Sequence, residues 1–211
     1  QLLPISPWGK QFIVPMMKYD ACTIKRNRLN VSAIESNTTV TLGGAGSGTW
    51  TSSKMGETHE FDMKRNAASE AGVYVVNANQ PVQVYLYSSS AIANADGENT
   101  PSDPSATIIP PLDFLTDTTI FRTYAPPSAS ELENRLVLWA RTSETSTIRL
   151  NGNPVSGFAA VNGVAGYSFV DMKLEDGTYI VTAPKKSFSG YVYGLANGQA
   201  YAYPAGYDFQ P

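Results

Sequence analysis

Cysteine is all but missing from this chain. Cys22 is the only one in 211 residues, which excludes any disulfide within it and is mild grounds for a reducing compartment. Histidine is equally scarce, with His59 alone. Charged residues make up 16%, against an ordinary ~25%. The net charge is −3 with no basic run, which argues against nucleic acid, since that partner demands a cationic footprint. No apolar segment approaches the ~20 residues of a membrane-spanning helix. There is no convincing amphipathic helix: the best window, Ala129 to Leu138, reads as a strand in its second half. A Gly-x-Ser-x-Gly elbow is absent. The run Gly43-Gly44-Ala45-Gly46-Ser47-Gly48 has neither the lysine nor the following helix of a phosphate loop.

What the chain does have is a pattern that occurs twice. Asn27-Arg28-Leu29-Asn30-Val31-Ser32-Ala33, a polar turn at Glu35-Ser36-Asn37-Thr38, and Thr39-Val40-Thr41-Leu42-Gly43-Gly44 form one copy. Asn134-Arg135-Leu136-Val137-Leu138-Trp139-Ala140, a turn at Ser143-Glu144-Thr145, and Thr147-Ile148-Arg149-Leu150-Asn151-Gly152 form the other. The shift is 107 (134 − 27) before the turn and 108 (148 − 40) after it, so one residue has been added where a hairpin tolerates it. Apolar residues alternate with polar ones, the mark of antiparallel strands with one wet face. Downstream, Asp62-Met63 parallels Asp171-Met172, Val73 to Ala78 parallels Thr178 to Ala183, and Val82 to Tyr87 parallels the run Ser189 to Tyr193. The expected fold is therefore all-β: two similar antiparallel β-sandwich halves related by internal duplication and packed on each other. The first copy spans 1–90, a polar connecting loop 91–112, and the second copy 113–211. Trp8 to Pro15 reads as a short strand, and the Gly- and Ser-rich stretch Gly43 to Lys54 as a loop.

Two sequons, Asn30-Val31-Ser32 and Asn37-Thr38-Thr39, make Asn30 and Asn37 candidate glycosylation sites and point to secretion. The start at Gln1 without methionine reads as a processed end. On the outer face of the first repeated strand, copy one carries Asn30 and Ser32 where copy two carries Val137 and Trp139. Water does not suit the second pair, so both are expected to be covered, by copy one or by a partner chain. Tyr85, Tyr87, Tyr191, Tyr193, Tyr201 and Tyr203 fall at alternate strand positions. Tyrosine is a rigid apolar plate with a polar handle, which suits protein or glycan contact. Tyr201 and Tyr203 join Val137 and Trp139 as candidate contact residues.

Catalysis and metal binding draw little support. His59 alternates with carboxylates in Gly56-Glu57-Thr58-His59-Glu60-Phe61-Asp62, an arrangement open to base or ligand chemistry, but a lone strand histidine reads first as structural. Cys22 lies near Lys18, Lys25 and Arg26, yet reads as an inert buried thiol. The segment Asn94 to Asp103 offers hard oxygen ligands and a turn glycine without the full spacing of a calcium loop. No catalytic residue, resident metal or cofactor is expected.

The motifs Trp8-Gly9-Lys10-Gln11-Phe12-Ile13-Val14-Pro15, Asn37-Thr38-Thr39-Val40-Thr41, Asp103-Pro104-Ser105 with Pro110-Pro111, and Tyr193-Gly194 with Tyr201-Ala202-Tyr203-Pro204-Ala205-Gly206 together resemble the N-terminal domain of the IgG Fc-binding protein family of mucus and extracellular matrix proteins. Each motif alone is weak; their order and spacing are specific, and they cover nearly the whole chain. The resemblance implies a secreted, extracellular, non-enzymatic, β-rich binding or structural module that meets other extracellular proteins or glycans, including copies of itself in an assembly. A calcium-dependent carbohydrate-binding module using the 94–103 loop is the alternative.

Overall fold

The computed structural model describes residues 7–18, 26–64, 72–88, 103–124, 132–196 and 198–208. It is all-β, with three antiparallel sheets. The first half holds β1 (Gly9–Pro15), β2 (Arg26–Ala33), β3 (Thr39–Gly44), β4 (Gly48–Thr51), β5 (Thr58–Lys64), β6 (Val73–Ser88) and β7 (Ala106–Ile108) in one seven-stranded sheet. That sheet is folded over along the long strand β6. The first part of β6, residues 73–78, pairs with β1 and β3, and β3 pairs with β4. The last part, residues 82–88, pairs with β2 and β7, and β2 pairs with β5. We call these the inner and outer wings. They close on a shared core in which Phe12, Val14, Val40 and Val76 meet Leu29, Val31, Val84 and Leu86. The alternation in β2 is what the sequence dictates, with Leu29, Val31 and Ala33 buried and Arg28, Asn30 and Ser32 on the other side.

The second half holds β8 (Thr118–Arg122), β9 (Glu133–Arg141), β10 (Arg149–Leu150), β11 (Asn153–Pro154), β12 (Ala159–Ala160), β13 (Tyr167–Leu174), β14 (Thr178–Thr182), β15 (Phe188–Ala196) and β16 (Gln199–Pro204). An inner sheet runs β12-β13-β9-β15-β16 and an outer sheet β11-β10-β14-β8. Leu136, Leu138, Phe188 and Val192 of the inner sheet pack on Phe121, Ile148 and Val181 from the outer-sheet side. The polar turn after β9 is a 3-10 turn at Thr142–Thr147.

The pairings of the two halves follow one order. The inner wing reads β1-β6-β3-β4 and the outer sheet β8-β14-β10-β11; the outer wing reads β7-β6-β2-β5 and the inner sheet β16-β15-β9-β13. Where the first half uses β6, the second uses β14 and β15, separated by residues 183–187. The inner wing faces the inner sheet across the joint, β7 of the outer wing lies beside β16, and the inner sheet is buried on both faces. Its second face, with Val137, Trp139, Tyr191, Tyr193 and Leu195, belongs to the same core as the whole first half.

Two expectations need correcting. The stretch Gly43 to Lys54 is not only a loop: Gly48–Thr51 forms β4, paired with β3 from Thr39 to Leu42. Its signal was a four-residue strand opening on glycine, too short to show a period. The parallel of Asp62-Met63 with Asp171-Met172 is out of register by two. Leu29 faces Phe61 while its counterpart Leu136 faces Met172, which makes Phe61 the equivalent of Met172 and Glu60 the equivalent of Asp171.

Candidate functional site

The polar chemistry of this chain sits on sheet faces and at open sandwich edges. The joint between the halves is the most densely built of these. Trp139 and Val137 are fully buried there, so they serve the interior of the chain and are not offered to a partner. The Trp139 indole N–H has no hydrogen-bond partner. Tyr191 Oη donates to the Pro15 carbonyl at 2.6 Å, and Tyr193 Oη accepts from the Lys18 N–H at 2.9 Å. Both phenols therefore reach from the inner sheet to the chain at the end of β1. Val75 and the backbone of Gly44 come up against Gly163 from the same side.

A charge cluster lies at the end of this joint. Arg135 Nε donates to Asp171 at 2.6 Å and its Nη1 to Glu133 at 2.6 Å. Lys18 Nζ approaches Asp171 at 3.6 Å and Lys173 Nζ approaches Glu133 at 3.2 Å. The Arg135 and Asp171 side chains are only 4% and 10% exposed. Burial pushes the Asp171 carboxyl above the ordinary carboxylate range, with Arg135 and Lys18 pulling the other way. Burial opposes the charge of Arg135, but Asp171, Tyr193 and Glu133 together outweigh it and hold the guanidinium more firmly protonated. Burial pushes the Tyr193 phenol well up. Nothing in the local pattern points to this cluster, because single charges in an alternating strand read as solvated.

Tyr201 and Tyr203 lie on β16 at the open edge of the second sandwich. They are half-buried and stacked at 5.8 Å and 20°. Tyr201 Oη donates to Asn134 at 2.5 Å and Tyr203 Oη donates to the Arg122 carbonyl. The Tyr201 ring lies where a Cβ on its cross-strand partner Gly194 would stand, so glycine is required there. Tyr124, 57% exposed, meets Tyr201 edge-on at 6.3 Å. These three rings form a half-exposed aromatic cluster, and Tyr124 was not singled out from the sequence.

At the other edge of the first half, where β4 and β5 lie, His59 stacks on Trp50 at 5.3 Å and meets Phe61 edge-on at 4.5 Å. It fills an aromatic edge; its neighbours Glu60 and Thr58 point away on the other face. Asn37 is exposed in the turn, with a left-handed φ of 61°, a conformation asparagine tolerates well. Asn30 is half-buried on the outer wing, and its amide oxygen is enclosed without a partner. Tyr85 and Tyr87 lie beside it, half-buried. Cys22 and residues 94–102 of the acidic loop lie outside the described residues; Asp103 is exposed. Among the described residues no three His, Cys, Asp or Glu side chains gather as a metal site, and no helix is long and apolar enough to cross a membrane.

Fold and site together define an all-β protein of three antiparallel sheets that presents aromatic and charged side chains. The chain belongs to the IgGFc binding protein family, whose family model matches residues 1–194. No curated protein matches it. No solved structure does either.

Proposed function

We propose that this chain is a secreted, non-enzymatic binding or structural module of an extracellular mucus, matrix or surface-filament protein, built by duplication of one β-sandwich. Family membership supports the extracellular binding role. The duplication is supported by the common strand order and by the constant shift through β2 and β9. The observation that carries a contact role is the Tyr124–Tyr201–Tyr203 cluster, an aromatic group left open at a sandwich edge. Rigid rings with polar tips suit protein or glycan surfaces.

The test presents the secreted chain to immobilised IgG Fc, to mucin glycoproteins and to a glycan array. Binding to one of these, weakened several-fold by Tyr124→Ser with the fold intact, is the expected outcome. Absence of binding to every one of them would sink the reading.

A further inference from the structure

The outer sheet ends at β8, which among the described residues has a neighbouring strand on one side only, β14. Bonds at the two ends of β8 fix which way each backbone group points. The Ala183 N–H donates to the Asp117 carbonyl and the Thr123 N–H to the Gly177 carbonyl. Asp117, Thr119, Phe121 and Thr123 therefore turn N–H and C=O toward β14, while Thr118, Ile120 and Arg122 turn theirs to the open side. The far side of β14 agrees: the Asn151 N–H donates to the Ile180 carbonyl, and the Ile180 N–H donates to Asn151 Oδ1.

Two of the three outward residues are served within the chain. The Thr116 hydroxyl accepts from the Thr118 N–H at 3.3 Å and donates to the Thr118 carbonyl at 3.0 Å. The Tyr203 hydroxyl donates to the Arg122 carbonyl. Ile120 is left with both its N–H and its carbonyl unpaired among the described residues. Its side chain is 69% exposed, and that of its cross-strand neighbour Ile180 is 37% exposed. The open edge at β5 is different, for it carries Glu60, Asp62 and Lys64 on its exposed face. Charges of that kind keep edge strands from pairing. β8 has an isoleucine at its centre instead, and a single charge, Arg122, at its end.

We infer that β8 pairs edge to edge with β8 of a second copy of this chain, antiparallel and centred on Ile120, joining two outer sheets into one. The edge itself selects this register. Centring on Ile120 brings each open N–H onto the open carbonyl of the other copy, as in a hydrogen-bonded antiparallel pair. It also sets Arg122 of each copy against Thr118 of the other. Each Arg122 N–H then meets a Thr118 carbonyl that bonds only the Thr116 hydroxyl and keeps a second lone pair. The two arginines stand four positions apart, about 14 Å at ~3.4 Å per residue, beyond the ~8 Å screening length of physiological salt. Centring on Arg122 would put the two cations face to face, and centring on Thr118 would need an N–H already bonded to Thr116. On the exposed face Ile180, Ile120 and their two counterparts form one apolar stripe, flanked by Thr118, Thr178 and Thr182. The contact is isologous, so it closes at the dimer.

Sedimentation of the purified chain over a concentration series tests this, independently of any Fc or glycan binding. The expected result is a monomer–dimer equilibrium that goes no further. Ile120→Lys and Ile120→Glu each change an exposed side chain and set like charges directly opposite in the pair. Each alone is expected to weaken association about tenfold or more. Mixed in equal amounts, the two variants are expected to restore a dimer, because position 120 of one copy faces position 120 of the other. Ile120→Pro removes an N–H that no strand of the described chain uses and is expected to leave a folded monomer. The Lys–Glu mixture decides the matter if the proline variant fails to fold. A wild-type chain that stays monomeric at every concentration overturns the inference, including one whose β8 edge takes up an extended peptide of another protein instead. So does growth past the dimer, a Lys–Glu mixture that stays monomeric, or a folded Ile120→Pro chain that dimerises like the wild type.

Discussion

Tyr191 donates its phenolic hydrogen to the carbonyl of Pro15, 2.6 Å away across the joint and 176 residues earlier in the chain. That bond and the Trp139 ring beside it, at 6.3 Å from Tyr191, tie the second half to the first as a core is tied, through buried apolar packing. The first prediction concerns this joint. Trp139→Ala is expected to cost about 3–5 kcal/mol, the usual range for a buried aromatic. Trp139→Phe costs much less, because it also removes an unpartnered indole N–H. Tyr191→Phe is expected to cost about 1 kcal/mol. Denaturant melts should show one transition for both halves. A Trp139→Ala chain in which one half melts separately at unchanged stability would contradict the shared core.

Two equivalent ion pairs should differ sharply in worth. Arg28 and Glu60 are 49% and 45% exposed, whereas Arg135 and Asp171 are nearly enclosed. Removing Arg28 is expected to change monomer stability by less than ~1 kcal/mol. Removing Arg135 takes from the buried Asp171 the cation that lies nearest to it and is expected to cost about 3–5 kcal/mol. Equal losses from Arg28→Met and Arg135→Met in chemical denaturation would disprove the contrast.

Alkaline pH should unfold this protein through its tyrosines. Burial raises the phenols of Tyr85, Tyr179, Tyr193, Tyr201, Tyr203 and Tyr207 above their ordinary value. Above pH ~10 the unfolded chain sheds phenolic protons that the folded chain keeps. The unfolded state then binds fewer protons, so stability falls as pH rises, whereas below that pH the contribution is fully present. Tyrosinate absorbance should therefore appear together with loss of the fold. Phenols that all titrate near pH 10 in an intact fold would refute this.

Of the two sequons, Asn37 is the one built to carry a glycan. It stands exposed at a turn, while Asn30 has its amide oxygen enclosed on a sheet face. Mass spectrometry of protein from a eukaryotic secretory source should find Asn37 occupied and Asn30 largely bare. The reverse occupancy would contradict this reading, because a glycan at Asn30 needs the amide group that is enclosed on the sheet face.

The strands with strict alternation were legible from the sequence, as were the pairs that differ between the halves: Val137 and Trp139, where the first half has Asn30 and Ser32, already said that their face was covered. The alignment of β5 with β13 slipped because a shift of two residues preserves which side chains point inward, and only the cross-strand partner fixes the register. β4 was missed for its brevity. The Arg135 cluster was hidden because burial of a β9 charge depends on what covers the inner sheet, which no local pattern in β9 contains. His59 drew attention for its carboxylate neighbours, but alternation sends those to the opposite face and leaves the ring with Trp50 and Phe61.

The first half runs one strand through both of its wings, and this sets how the two halves can drift. An insertion within β6 displaces every side chain beyond it and upsets pairings with β1, β2, β3 and β7 together. In the second half the same path is broken between Thr182 and Phe188, where an added residue can be absorbed outside either sheet. Changes of length are thus confined in the first half to its turns, whereas the second half has a place to accommodate them midway, and descendants of this chain should differ in length there long before they differ in β6.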